Sequence, residues 1–189
     1  MNANTEDKII TMLYKKLKIM VFIILTALII PELAFGLELE TRYATIQYPN
    51  IGTLRKFNGK LKMGSLGYLL SGKQNETVED EVRNKVDVIV EKVRTVLDMF
   101  PRDMKFKIVI CESTKGVQEE FKRIYRINVD YLAFYSPDEN TVFYSAKNIN
   151  LRVVSHEIGH MVVENYFVVS PPVKMHEVLA QYAEMHITD

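Results

Sequence analysis

Two histidines four residues apart, in His156-Glu157-Ile158-Gly159-His160, constrain this chain more than any other feature. In a helix, residues four apart lie about 40° apart around the axis and roughly 6 Å apart along it, so both imidazoles reach one point beside the helix. Glu157 is one position on and about 100° around. It flanks that point, where it can take a proton from a water. This is the arrangement of two metal ligands and a general base. All four histidines, His156, His160, His176 and His186, fall in the last 34 residues, so any chemistry is expected at the C-terminal end.

The surrounding residues support a helix. Leu151, Val154, Ile158, Met161 and Val162 recur at spacings of three and four, and Asn148 or Asn150 can cap its start. Gly159 costs about 1 kcal/mol in a helix relative to alanine. It either makes room for close backbone packing or is a tolerated weak spot.

A tetrahedral zinc needs a third protein ligand, with the fourth position left to water in a catalytic site. Glu164 is on the same face as His160 but roughly 12 Å of rise beyond His156. Bonds near ~2 Å cannot span that distance, which leaves Glu164 beside the site or on the surface. His176 and Glu177 lie beyond Val-Val-Ser-Pro-Pro, where Pro171 and Pro172 end one helix and let another begin. A return helix over 173–187 can bring either residue back to the metal. Glu184, one heptad after Glu177, falls near the same face; it either orients a histidine or is solvated. Tyr166, His176, Tyr182 and His186 are the local candidates to stabilise a developing oxyanion.

His-Glu-Ile-Gly-His followed by Glu-Val-Leu-Ala-Gln-Tyr-Ala-Glu resembles the gluzincin metallopeptidases, and among them the small peptidase MA-like domains, over about residues 131–189. The resemblance implies His156 and His160 as zinc ligands, Glu157 as base and Glu177 as third ligand in place of His176. It departs from the pattern at Val178, where the family often has glycine. It also implies that the strand just before the metal helix forms the sheet edge on which an extended peptide pairs.

At the other end, Lys15, Lys16 and Lys18 precede an apolar run from Ile19 to Ile30 broken only by Thr26, and Ala34-Phe35-Gly36 follows. That is the layout of a secretory signal peptide over 1–36, ahead of a single domain over 37–189. The alternative is an uncleaved membrane anchor, although the run is shorter than the ~20 apolar residues a crossing needs. Residues 37–189 carry 20 basic and 21 acidic side chains, so no electrostatic case for nucleic acid arises. Cys111 is the only cysteine and excludes an intrachain disulfide. Its apolar setting suggests a buried small hydrophobe.

Along the domain, Arg42 to Tyr48 reads as a first strand closed by Pro49-Asn50-Ile51-Gly52. A stretch punctuated by Gly59, Gly64, Gly67 and Gly72 follows, with no assigned structure. Thr77 and Asp80 form a helix-start signature. Val78, Val82, Val86, Ile89, Val93 and Val96 continue at helical spacing toward Pro101. Met104, Phe106, Ile108 and Ile110 alternate as a strand. Thr114 caps a helix through Val117, Phe121 and Ile124. Tyr131–Ser136 and Thr141–Ser145 flank Pro137-Asp138-Glu139-Asn140 as a β-hairpin. Gly67 to Gln74 approaches a phosphate-loop pattern, but Gln74 stands where a serine or threonine is needed and no good strand precedes it.

The expected fold is α+β: a small twisted mixed sheet with an antiparallel edge hairpin, the metal helix, and a C-terminal helix carrying the third ligand. The resemblance makes it zincin-like. The function expected is an exported zinc peptidase acting on a peptide or protein substrate, with a membrane partner only if the N-terminal segment stays uncleaved. Two alternatives stand beside it. One is a catalytically inactive zincin-fold envelope protein that binds a partner; the other is a membrane-tethered structural protein with a chance motif.

Overall fold

The computed structural model describes residues 36–189. The signal peptide or anchor expected over 1–36 lies outside the described residues, save Gly36. The alternation of Phe106, Ile108 and Ile110 with Lys105, Lys107 and Val109 produces strand β3 (Phe106–Cys111), which lies in the middle of a five-stranded sheet. The other strands are β1 (Leu37–Glu40), β2 (Ala44–Tyr48), β4 (Ala133–Ser136) and β5 (Thr141–Ser145), in the order β1-β2-β3-β5-β4. β2 and β5 run parallel to β3, with Ile46 and Val142 opposite Ile108, while β1 and β4 run antiparallel on the two rims. The sheet is therefore mixed and the fold α+β.

The hairpin occurs as expected, but its strands are exchanged relative to the expected edge. β4 forms the rim, and β5, the strand before the helix that carries His156 and His160, is internal. The physical reason is burial. All five residues of β5 are buried, because Val142 and Tyr144 face the main core while Phe143 stacks on Phe134 in a smaller cluster across the sheet. A strand covered on both faces sits inside a sheet.

Five α-helices and one 3₁₀ helix pack on this sheet among the described residues. Helix α1 (Ile51–Lys60) occupies the ground expected to be turn and irregular chain. Asn50, read as part of a closing turn, instead caps α1, its side chain accepting from the Thr53 N–H at 2.9 Å. Gly52 and Gly59 weaken the local helix signal, but Leu54 and Phe57 are fully buried and tertiary burial decides. The 3₁₀ helix spans Gly64–Leu70. Its last four residues, Gly67–Leu70, overlap the start of the phosphate-loop look-alike, so the strand that must lead into such a loop is absent there.

Helix α2 (Val78–Leu97) begins where Thr77 and Asp80 form a reciprocal capping box, and it buries Val82, Val86, Ile89 and Val93 against the sheet side. It stops at Asp98, which takes a left-handed conformation. Helix α3 (Thr114–Tyr125) starts from Ser113, one residue before the expected cap and without a side-chain capping bond. Cys111 is half-buried, not fully buried, and burial pushes its thiol up to about 12, which fits a packing role. No helix among the described residues is long and apolar enough to cross a membrane.

Helices α4 (Leu151–Tyr166) and α5 (Val173–His186) complete the domain as an antiparallel pair. Of the two asparagines, Asn150 caps α4, accepting from the Val153 N–H at 3.1 Å. Val154, Ile158, Met161 and Val162 are fully buried in the core. Gly159 does make room: a Cβ there would stand 2.9 Å from the Ala180 Cα and 3.4 Å from the Cβ atoms of Ala180 and Ala183.

Candidate metal centre

Because α4 sets His156 and His160 one turn apart on one edge, their Nε2 atoms face each other at 3.1 Å. Pro171 and Pro172 release the chain from α4, and α5 returns with Glu177 in its first turns. One oxygen of Glu177 lies 3.7 Å from the His156 Nε2 and the other 3.6 Å from the His160 Nε2. The three groups offer ligand atoms within 4.8 Å of one another. A tetrahedral zinc with ~2.05 Å bonds needs ligand atoms ~3.3 Å apart, and the shortest contacts, 3.1 to 3.7 Å, lie around that value with each carboxylate oxygen nearest a different imidazole. The residues fit such an ion. Two imidazoles and a carboxylate also suit other first-row divalent metals.

The surroundings orient these side chains. Glu184 lies 3.1 Å from the His156 Nδ1. If that nitrogen carries the proton and donates to the carboxylate, Nε2 is left with a free lone pair and the ring is fixed in orientation. Of the two roles open to Glu184, the structure gives it the one beside a histidine. His160 is lowered to about 4, first by burial and then by the neighbouring His156 and His176. It therefore stays neutral and able to coordinate near neutrality. Glu157 is raised to about 8, chiefly by burial and further by Glu177 and Glu184, while a hydrogen bond from the Tyr135 backbone opposes the shift. That bond places the Glu157 carboxylate beside the rim strand β4.

His176, the rival ligand, is engaged elsewhere. Its Nε2 lies 3.0 Å from Glu164 and 3.2 Å from the Ser170 Oγ. Glu164 sits one turn beyond His160 on α4 and is occupied with these two neighbours, outside the His156–His160–Glu177 group. The chain thus brings Glu177 to the histidine pair, while His176 lies beside it, its ring centroid 5.9 Å from that of His160 and its Nε2 turned to Glu164 and Ser170.

A cleft of about 540 Å³ opens over the group, bordered by Glu157 and the two histidines on one side and by Phe121, Tyr131 and Tyr135 on another. Of the four oxyanion candidates, His176 alone borders it. Tyr166 packs edge-on to Phe167, and Tyr182 lies against His186. Tyr135 was not singled out from the sequence. It lies in the cleft wall with its hydroxyl 3.4 Å from Asn140, and burial raises its pKa. The signal for it was present: Tyr135 is two residues from Ala133 in a period-two strand, on one face of the edge strand.

Comparison of the chain with family models, curated proteins and solved structures yields no match. The functional reading therefore rests on the residues and their geometry.

Proposed function

We propose that the protein is a zinc-dependent peptidase of the zincin type, exported by its N-terminal segment, with His156, His160 and Glu177 as ligands and Glu157 as general base. The observation that carries this reading is the meeting of Glu177 with the two imidazoles across the helix break, with a buried carboxylate beside them. A zinc ion bound there supplies Lewis acidity toward a carbonyl and lowers the pKa of water to near 7. Glu157 accepts the proton of the attacking water and passes it to the departing amine. Its metal-free pKa of about 8 falls once a cation stands nearby, so the carboxylate is available as a base near neutral pH.

The rim strand supplies the binding mode. Ala133, Phe134 and Tyr135 of β4 line the cleft, and among the described residues the outer side of β4 has no strand partner. An extended peptide can add there by backbone hydrogen bonds, next to Glu157.

Zinc content and hydrolysis of a broad peptide library test the reading. Wild type should hold one zinc per chain and cleave. Glu157→Gln should keep the zinc and lose turnover by about 10²–10⁴-fold, the usual contribution of a general base; His160→Ala should lose the metal. Normal turnover by Glu157→Gln sinks the mechanism. Stoichiometric zinc with no cleavage by wild type favours the partner-binding envelope protein.

A further inference from the structure

The first turn of α5 has little to hold it. Its N-cap, Pro172, makes no side-chain capping bond. Val168, Val169 and Val173 are exposed. The apolar contact between α4 and α5 is made at Gly159 with Ala180 and Ala183, which lies beyond Glu177 in the chain. Glu177 itself is 58% exposed and has no ion-pair partner other than the two imidazoles among the described residues. Helix ends fray, and a frayed first turn would carry the Glu177 carboxylate away from the metal position.

One polar cluster lies on the unanchored side. Glu164 near the end of α4, Ser170 in the connection and His176 in the first turn of α5 contact one another. The Ser170 hydroxyl donates to Glu164 at 2.7 Å, and Glu164 lies 3.0 Å from the His176 Nε2. The His176 side chain is 12% exposed and that of Glu164 27%, while Ser170 is exposed. Glu164 is eight residues along α4 from His156 and four from His160, while His176 is the immediate neighbour of Glu177. The cluster thus ties the ligand-bearing edge of one helix to the ligand-bearing turn of the other.

We propose that Glu164, Ser170 and His176 act as a clamp of positioning residues, holding Glu177 at coordinating distance from His156 and His160 without touching the metal themselves. The inference rests on the metal-site reading above. It assigns the fixing of the third ligand to the polar cluster on one side of Glu177 and the Ala180 contact on the other. Removing the clamp leaves all three ligands in the chain but frees one of them to move, so metal affinity falls while the core is untouched.

The test is zinc affinity, measured by competition with a chromophoric chelator, alongside thermal unfolding of the metal-free proteins. His176→Ala and Glu164→Ala should each weaken zinc binding by about 10–100-fold, the usual effect of losing a group that orients a ligand. The double variant should be little weaker than either single one, because both remove the same contact. His176→Gln, whose amide can still donate to Glu164, should recover most of the affinity, and metal-free unfolding temperatures should stay close to wild type. Glu164→Gln, a milder change, serves if the alanine variant does not fold.

Singles within twofold of wild type, or losses that add in the double variant, overturn the clamp and leave the metal site standing. A loss confined to His176→Ala, with Glu164→Ala normal, also overturns it, because His176 would then be acting as a ligand. Failure of wild type to bind zinc sinks the metal-site reading and the clamp with it.

Discussion

Two seams run side by side where α4 meets α5, and they hold by different physics. The apolar seam passes through Gly159, whose missing side chain lets the backbone of Ala180 come within van der Waals range. The polar seam passes through His156, His160 and Glu164, which face Glu184, Glu177 and His176. The polar seam arises from the spacing of four along α4. The first gains stability from exclusion of water and close contact, and cannot admit even a methyl group without movement. The second gathers imidazoles and carboxylates whose charges would be costly to bury without partners. The contrast shows how the cluster is made here: the apolar seam fixes the separation of the helix axes, and the polar seam uses that separation to bring imidazoles and carboxylates from two helices to one point.

The comparison can be broken most forcefully at Gly159. Gly159→Leu forces a large side chain against the Ala180 backbone and should destabilise the protein by about 3 kcal/mol, the upper range for overpacking, as read by urea denaturation. The polar seam should also be lost, since the helices must separate. A variant with wild-type stability would mean that the close contact is not what sets the spacing.

A smaller effect isolates the polar seam. Glu184→Ala removes the partner of the His156 Nδ1 and should reduce zinc affinity by about 10–100-fold, with a change in metal-free stability within about 1 kcal/mol. Chelator competition and thermal unfolding of the same sample separate the two quantities.

The pH dependence of the metal-free protein follows from two opposed shifts. Glu157, raised to about 8, binds a proton in the folded state that it has lost in the unfolded one, so it contributes a fall in stability as pH rises toward 8. His160, lowered to about 4, contributes a rise as pH increases from 4 to about 6.5. The two oppose each other below about 6.5. Between about pH 6.5 and 8 only Glu157 acts, and the unfolding temperature should decline there. Glu157→Gln should remove that decline; a slope unchanged by the substitution would exclude Glu157 as its source.

Least affected should be the end of α4 away from both seams. Asn150→Ala deletes the cap that accepts from Val153 and should cost about 1 kcal/mol, with zinc affinity unchanged. A coupled loss of affinity would show that the start of α4 also governs the site.

Much of this was legible because the relevant forces act over short stretches of chain. Thr77 and Asp80 complete a capping box within one turn, Phe106 to Cys111 alternate with the strand period, and Thr141–Ser145 pairs with Ala133–Ser136 across a polar turn. Helix α1 was illegible because Gly52 and Gly59 argue against it locally while the burial of Leu54 and Phe57, which stabilises it, is tertiary. Strand β1 was missed because Leu37-Glu38-Leu39-Glu40 is a four-residue rim strand with only Leu39 buried. Cap placement at Ser113 differed by one residue, within the ordinary blurring of helix starts.

Local periodicity alone puts His156 and His160 on one helix edge with Glu157 beside them, since four residues nearly complete a turn. The order of residues also divides that helix from the next at Pro171 and Pro172, and leaves Cys111 with no disulfide partner within the chain. Tertiary packing sets the meeting of Glu177 with the pair, the turning of the His176 Nε2 to Glu164, and the reach of Glu184, 28 residues from His156, to its ring. It likewise puts β4 at the rim in place of β5. The physical reason is distance along the chain. Periodicity fixes which side chains share a face, but contacts across a helix break depend on how closely two helices pack, and here the approach of Gly159 to Ala180 sets that closeness.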